Sequence, residues 1–378
     1  MTPSTFLKRA TLVACFSFAL CSQSTAQTDT AIAPKTNEEE DFSMYDEVGF
    51  ADQGAKRYCS PKIEGLSPAK LVSLGFDFQG PYKITLDTFN NNINQGSPEQ
   101  SGSATTSGMR FACNIPVVSK TSLVWQMGAN YWESGYSINN NESITKPVVY
   151  VGNPLLQSLR NNGLRTLGIN TTIFKPLNDK NFLLFQGSSD LSGDYNWNLM
   201  PTKYLKYSAA LIYGKRPSER KQWGIGLSRT YRAGELNYIP IFLFNYTDAA
   251  NKWGSEILFP ARAHVRRTIN SRNMLFAGYE LEGQSYRLYQ MESIRNQDLE
   301  IRRAEIRLRL VYEFSLKDFL WMSVQAGYRI NYRYDVDRLS NGNEILRAFG
   351  LLSKEPYVMQ NKLTNPLYFN ISINLVSP

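Results

Sequence analysis

Residues 303–334 read RAEIRLRLVYEFSLKDFLWMSVQAGYRINYRY, and this stretch decides the fold. Apolar and charged residues alternate along its first half, so that Leu308 and Leu310 share one face while Arg307 and Arg309 share the other. After a short turn the alternation resumes and continues to the end of the stretch. Because successive side chains of a strand point to opposite faces, the pattern predicts a hairpin with one apolar and one charged surface.

The length of the two arms favours a membrane-spanning hairpin. A tilted strand needs about 9–11 residues to cross a bilayer, and both arms are that long. A soluble sandwich would turn the charged face to water, whereas a membrane barrel turns it inward. The start of the chain, the repetition of the pattern and the aromatic content favour the barrel.

The chain begins with the pattern of a secretory signal peptide. Lys8 and Arg9 precede the apolar run Ala10–Leu20, and a small-residue cleavage site ends at Ala26. No later run approaches the roughly 18 apolar residues of a transmembrane helix. The predicted division is a signal peptide at residues 1–26, a polar periplasmic tail at 27–67 and an outer-membrane β-barrel at 68–378.

Strands of about ten alternating residues recur along the rest of the chain, which is typical of a transmembrane β-barrel. Thirteen segments fit, with Ser255–Arg266 taken as a single strand. Short and long connections between strands alternate along the chain, but this alternation is lost in the region between Leu236 and Arg302. Because bacterial single-chain barrels have even strand numbers, the count is wrong by one there. We predict an all-β, antiparallel up-and-down barrel of about 12 strands, within a range of 10 to 14.

Aromatic residues make up 13% of the chain, with 22 tyrosines, many of them near predicted strand ends. Barrels carry such aromatic girdles at both membrane interfaces, although Tyr and Phe are also favoured in strands generally. The net charge is +8, but the arginines are spread along strands rather than clustered in a tail. We therefore expect outer-membrane lipids as partners and no nucleic acid.

The charged faces of the later strands are predicted to line the lumen. They carry seven arginines and five glutamates, so a conducting lumen would prefer anions weakly. Arg333 belongs to this face and Tyr334 to the opposite one. These inward arginines and glutamates either pair across the interior and close it or line a narrow wet passage. The predicted lumen-lining residues are Arg262, His264, Arg266, Arg303, Glu305, Arg307, Arg309, Glu313, Arg329 and Arg333.

The sequence offers little for catalysis. His264 is the only histidine, and no nucleophile elbow or serine can be paired with it by spacing. One histidine and the two distant cysteines Cys59 and Cys113 give no zinc-ligand spacing. Whether these cysteines pair in an oxidising compartment stays open. We predict no enzyme activity, no catalytic residues, no metal and no cofactor.

Segments Trp223–Arg232, Tyr238–Tyr246 and Trp253–Arg266 resemble a Bacteroidota outer-membrane β-barrel family of unknown function. The resemblance extends from about Leu71 to the C-terminus and implies an outer-membrane location and a barrel fold, without catalytic residues to carry over. It also implies the barrel assembly machinery as a partner. The C-terminus departs from the aromatic ending that many outer-membrane barrels use as an assembly signal, because the chain ends on Pro378.

Together these features predict an outer-membrane barrel that acts as a narrow, porin-like passive channel. The alternative is a closed structural or surface-interaction barrel whose long loops bind a partner. An interior open to solvent would favour the channel, and a fully salt-bridged interior would favour the alternative.

Overall fold

The computed structural model describes residues 59–86, 100–139, 154–195, 205–231, 236–288, 299–338 and 358–377. The predicted signal peptide, residues 1–26, and the tail up to residue 58 lie outside these ranges, as do most residues of the long connections. The strands are β1 Lys70–Leu86, β2 Gln100–Lys120, β3 Leu123–Asn139, β4 Leu164–Pro176, β5 Asn181–Gly193, β6 Lys206–Ser218, β7 Lys221–Thr230, β8 Asn237–Thr247, β9 Trp253–Phe259, β10 Arg262–Asn270, β11 Asn273–Arg287, β12 Leu299–Lys317, β13 Leu320–Arg338, β14 Met359–Gln360, β15 Lys362–Leu363 and β16 Leu367–Val376. One helix, α1 Pro154–Asn162, is present among the described residues, and it is too short to cross a membrane.

The strands close into an antiparallel barrel. Each strand from β1 to β13 pairs with the next, and β16 lies between β13 and β1 and completes the circle. The described residues thus form a barrel of fourteen strands, with β14 and β15 as short additions that extend the wall beyond β16. Closure leaves no long sheet edge exposed.

The strand count corrects the prediction of about twelve, and the error lies in the region where the connection parity failed. The predicted strand Ser255–Arg266 is a hairpin, β9 and β10, joined at Pro260 and Ala261. Leu258 pairs with Arg262 across this turn, so both residues keep the same face. The alternation therefore continues through the turn without interruption. Pro260 is the one residue in the sequence that indicates a turn here.

The two ends of the barrel differ. The connections after β2, β4, β6, β8, β10 and β12 are turns of two to five residues, and we call this the short-turn end. The longer connections lie at the opposite end, which we call the long-loop end; the tight β9–β10 turn is the exception there. Lys70 pairs with Val376, so the strands begin and finish at the short-turn end.

The wall is taller on one side. β12 and β13 have 19 residues each, whereas β9 has 7 and β10 has 9. Beyond the reach of β6 to β10, β5 meets β11 directly: Gly193 pairs with Arg287, whose carbonyl also accepts a hydrogen bond from the Asp194 backbone N–H at 3.0 Å. A Cβ on Gly193 would lie 2.6 Å from that carbonyl oxygen, so the close approach needs glycine.

Two β-bulges turn apolar side chains from the outside to the inside. In β1 the register shifts between Gln79 and Tyr82. Before this bulge every second side chain, such as Phe76 and Phe78, points outward, but Tyr82, which continues that series, is buried. In β13 the register shifts between the pairs Asn331–Glu305 and Arg333–Ala304, so that Tyr334 pairs with the inward Arg303. An extra residue reverses the facing of everything beyond it.

An apolar core therefore fills the interior at the long-loop end, with α1 packed in it. Its members are almost completely shielded from solvent. The apolar core comprises Tyr82, Ile84, Leu86, Ala104, Tyr136, Ile138, Leu155, Leu156, Leu159, Leu164, Tyr286, Leu288, Leu299, Ile301, Tyr334, Val336, Val358 and Met359.

Candidate functional site

The barrel interior collects the charged faces of the long strands. On β12, Leu308 is 44% exposed on the outside, while Arg307 is 4% exposed on the inside. The same alternation on β1 places Asp77 inside between the outward Phe76 and Phe78. Because a closed sheet has only one enclosed face, the inward charges of different strands are brought together in the interior.

Just below the apolar core, these charges form a layer on the inner side of the neighbouring strands from β11 through β12, β13, β16 and β1 to β2, which we call the charged layer. It contains five arginines and four carboxylates contributed by β1, β2, β11, β12 and β13. The charged layer comprises Asp77, Arg110, Glu280, Glu282, Arg303, Glu305, Arg307, Arg309 and Arg329.

Glu305 is the centre of the charged layer and is completely buried. Its carboxylate accepts hydrogen bonds from Arg303 at 3.2 Å, from Arg307 at 2.9 Å and from Arg329. Three guanidinium groups thus share one carboxylate. Breaking a buried pair by removing one partner costs about 3–5 kcal/mol, because an uncompensated charge is left behind.

A second group of ion pairs connects β1 and β2 to β11 and β12. Arg110 pairs with Asp77 and, at 2.7 Å, with Glu282. Arg307 also reaches Glu282 at 2.7 Å. The Arg110–Glu282 bridge joins β2 to β11, two strands that are not neighbours in the sheet.

His264 lies beside the charged layer and is buried. Its Nε2 accepts a hydrogen bond from Arg309 Nε at 2.9 Å, and Arg309 also pairs with Glu280. A ring nitrogen that accepts from a guanidinium group is not available as a base. Among the described residues, no group of three or more His, Cys, Asp or Glu could hold a metal ion.

Two further charged groups lie toward the short-turn end. Arg266 is fully buried and pairs with Glu256 at 2.7 Å, while Lys70 pairs with Glu313 at 2.5 Å. Arg266 also donates to Thr247 Oγ1 at 2.9 Å.

The structure places nine of the ten predicted lumen residues on the inward face. Arg333 departs from the prediction because the bulge in β13 puts it on the outward face. Arg262 points inward but is exposed, since it lines a cavity rather than the charged layer. Asp77 and Arg110 were missed, although strict alternation with outward Phe76 and Phe111 would have identified them.

The segment before β1 lies across the short-turn end. Ile63 is buried, and the Glu64 side chain pairs with Arg220 at 2.9 Å. The Ser67 backbone N–H donates to Glu256 at 3.3 Å. Residues 59–67, predicted as part of a solvated tail, are therefore held against the barrel turns.

No disulfide joins the two cysteines that follow the predicted signal peptide. Cys59 is buried beside the β4–β5 turn, and Cys113 is half-buried in β2. Burial raises the pKa of the Cys59 thiol, which keeps it protonated.

No protein-family model matches the sequence, and no curated protein matches it. Among solved structures, the chain is similar to an outer membrane channel from Pseudomonas putida F1, at 8% identity and a TM-score of 0.36, over 83% of this chain and 98% of that chain. It is also similar to the Pseudomonas putida toluene transporter TodX, at 8% identity and a TM-score of 0.32, over 85% of this chain and 95% of that chain. We assign neither activity to this chain on that basis.

Proposed function

We propose that the protein is an integral outer-membrane barrel whose lumen is closed by the charged layer and the apolar core. In this proposal the long-loop end faces the cell exterior, because outer-membrane barrels keep short turns on the periplasmic side. The surrounding lipids and the barrel assembly machinery are its first partners, and membership of the Bacteroidota barrel family is part of the same proposal.

The outer surface supports the membrane location. The outward side chains of β16 from Leu367 to Leu375 are all large, apolar and exposed, and similar residues recur on β1, β7 and β12. Exposed Tyr246 and Trp253 lie beside short turns, and exposed Tyr332 lies toward the other end of its strand. A continuous apolar band of this kind needs a cover, and the hydrocarbon of a bilayer supplies one.

Fractionation tests the location. We expect the mature protein in the outer-membrane fraction, with a gel mobility that shifts on heating, as folded barrels show. Recovery in the soluble periplasmic fraction without detergent would contradict the proposal.

The observation that favours a closed lumen is the stacking of two filled layers across it. In the charged layer each of the five arginines pairs with a carboxylate, and the apolar core above it includes the fully buried Leu155 and Leu159 of α1. Freely diffusing ions would have to break buried ion pairs and then cross a dry apolar region. We therefore place the closed surface-interaction barrel ahead of the passive channel.

Conductance across a planar bilayer distinguishes these two functions. We expect no sustained current steps from the refolded wild-type protein, and we expect transient steps from the double variant Leu155→Ala with Leu159→Ala, which thins the apolar core. Leu310→Ala, on the outward face, is the matched control and should behave as wild type. Stable wild-type conductance would instead establish the channel, whose support is the cavity described next.

A further inference from the structure

A cavity of about 470 Å³ lies inside the barrel at the short-turn end, below the charged layer. Strands β1 to β5 and β7 to β10 contribute residues to its lining, together with residues 60–62, 66, 67, 69 and 377. Small-molecule pockets in proteins have volumes of about 300–1,000 Å³, so the space suits a ligand of modest size.

One side of the cavity is apolar. Phe174 and Phe182 stack with ring centroids 5.0 Å apart, and Leu184, Leu243 and Leu258 continue the surface. Phe174, Phe182 and Leu243 are already buried, whereas Leu184 and Leu258 are only partly buried. An apolar body that covers their remaining surface gains about 25 cal/mol per Å².

The polar lining of the cavity includes one guanidinium group that is not held in a salt bridge. Arg262 lines the cavity, is exposed and lies opposite Glu280 on β11, but it forms no salt bridge with any described residue, and Glu280 is engaged by Arg309. Gln222 is only 5% exposed, and its Oε1 is buried with no hydrogen-bond partner in the described structure. The one acidic side chain of the lining, Glu256, is already engaged by Arg266 and Ser67.

A guanidinium group outside any salt bridge, beside an apolar wall, is a ready partner for an anion. We propose that this cavity binds a small organic monoanion with an apolar body, its carboxylate on Arg262 and its chain against the partly buried Val124, Leu184 and Leu258. This binding site requires the proposed barrel to be folded. It does not depend on the lumen being closed or on the barrel lying in the outer membrane.

Octanoate is the probe, because it combines one carboxylate with a short apolar chain. Its binding is measured by titration calorimetry with the full barrel in lipid nanodiscs, with empty nanodiscs subtracted. We expect saturable binding to one site, with much weaker binding of neutral octanol and of inorganic phosphate.

Two variants locate the site. Arg262→Gln should weaken octanoate binding about tenfold or more, which is the loss expected for one charge-assisted hydrogen bond. Arg267→Gln is the matched control, since Arg267 is on the same strand but faces outward beside Trp253. Leu184→Trp should abolish binding by filling the cavity.

Unchanged affinity in Arg262→Gln would overturn the proposal, and so would octanol or phosphate binding as tightly as octanoate. Heat-shifted gel mobility is recorded for every sample. Absence of octanoate binding by a sample with folded mobility rejects the cavity site alone, whereas wild-type protein without that mobility rejects the barrel itself.

Discussion

The tall and the short parts of the barrel wall treat interior charge differently. Along β11, β12 and β13 the strands are long, the inward charges lie under the apolar core, and carboxylates such as Glu305 are saturated with partners. Along β7 to β10 the strands are short and the inward side borders a cavity, where the exposed Arg262 forms no salt bridge with a described residue. Where water is excluded, polar groups must satisfy one another; where it enters, they are left for solvent or a ligand.

The largest expected effect on stability comes from removing one carboxylate from the tall part of the wall and one from the short part. Glu305→Gln leaves three buried arginines without their shared charge, and it should destabilise the folded barrel by about 3–5 kcal/mol. Glu256→Gln, whose side chain is 18% exposed, should cost less, about 1.5–3 kcal/mol, because one buried arginine rather than three loses its carboxylate partner, and Arg266 keeps its hydrogen bond to Thr247. The urea dependence of unfolding from lipid vesicles measures both costs. If the two variants lose equal stability, the tall and short parts of the wall do not differ in how their interior charges are paired.

The next largest effect is expected on the outward face, which the proposed function places against lipid and where the tall and short parts should behave alike. Leu310 on β12 and Ile225 on β7 both point outward and are more than half exposed. An arginine on the lipid face near the midplane costs about 2–4 kcal/mol. We expect both Leu310→Arg and Ile225→Arg to impair assembly, as scored by heat-modifiable mobility, while Leu310→Ala and Ile225→Ala assemble. Normal assembly of Ile225→Arg alone would show that β7 does not face lipid.

Alternation predicted most of the inside and outside assignments, because it is a local property of each strand. It identified Arg307 and Arg309 as inward and Leu308 as outward without any knowledge of the partners. It could not identify which charges pair. Glu305 on β12 meets Arg329 on the adjacent β13, and Asp77 on β1 meets Arg307 on β12, although β16 and β13 lie between those two strands. Pairing of that kind depends on register and closure rather than on local sequence.

The errors have two local causes. The β9–β10 turn preserves facing, so the alternation continues through it and Pro260 was read as part of a strand. The bulges do the opposite, because they reverse facing without any change in the apolar and polar pattern. In β13 the sequence from Tyr328 to Tyr334 alternates without error, yet Tyr334 is inside. The apolar core could not be predicted for this reason.

The smallest expected effect tests the β13 bulge, which separates the charged layer from the apolar core. Arg329 and Arg333 share one parity, but Arg329 is buried against Glu305, whereas Arg333 lies on the outward side opposite Ala304. Arg329→Gln should lower stability by about 1–3 kcal/mol, because Glu305 retains two other arginines but loses one charged hydrogen bond. Arg333→Gln should cost less than about 1 kcal/mol, as is usual for a substitution outside the interior. The same urea titration compares them. If the two variants lose equal stability, then the alternation continues through β13, Arg333 belongs to the interior, and the apolar core loses the bulge that turns Tyr334 into it.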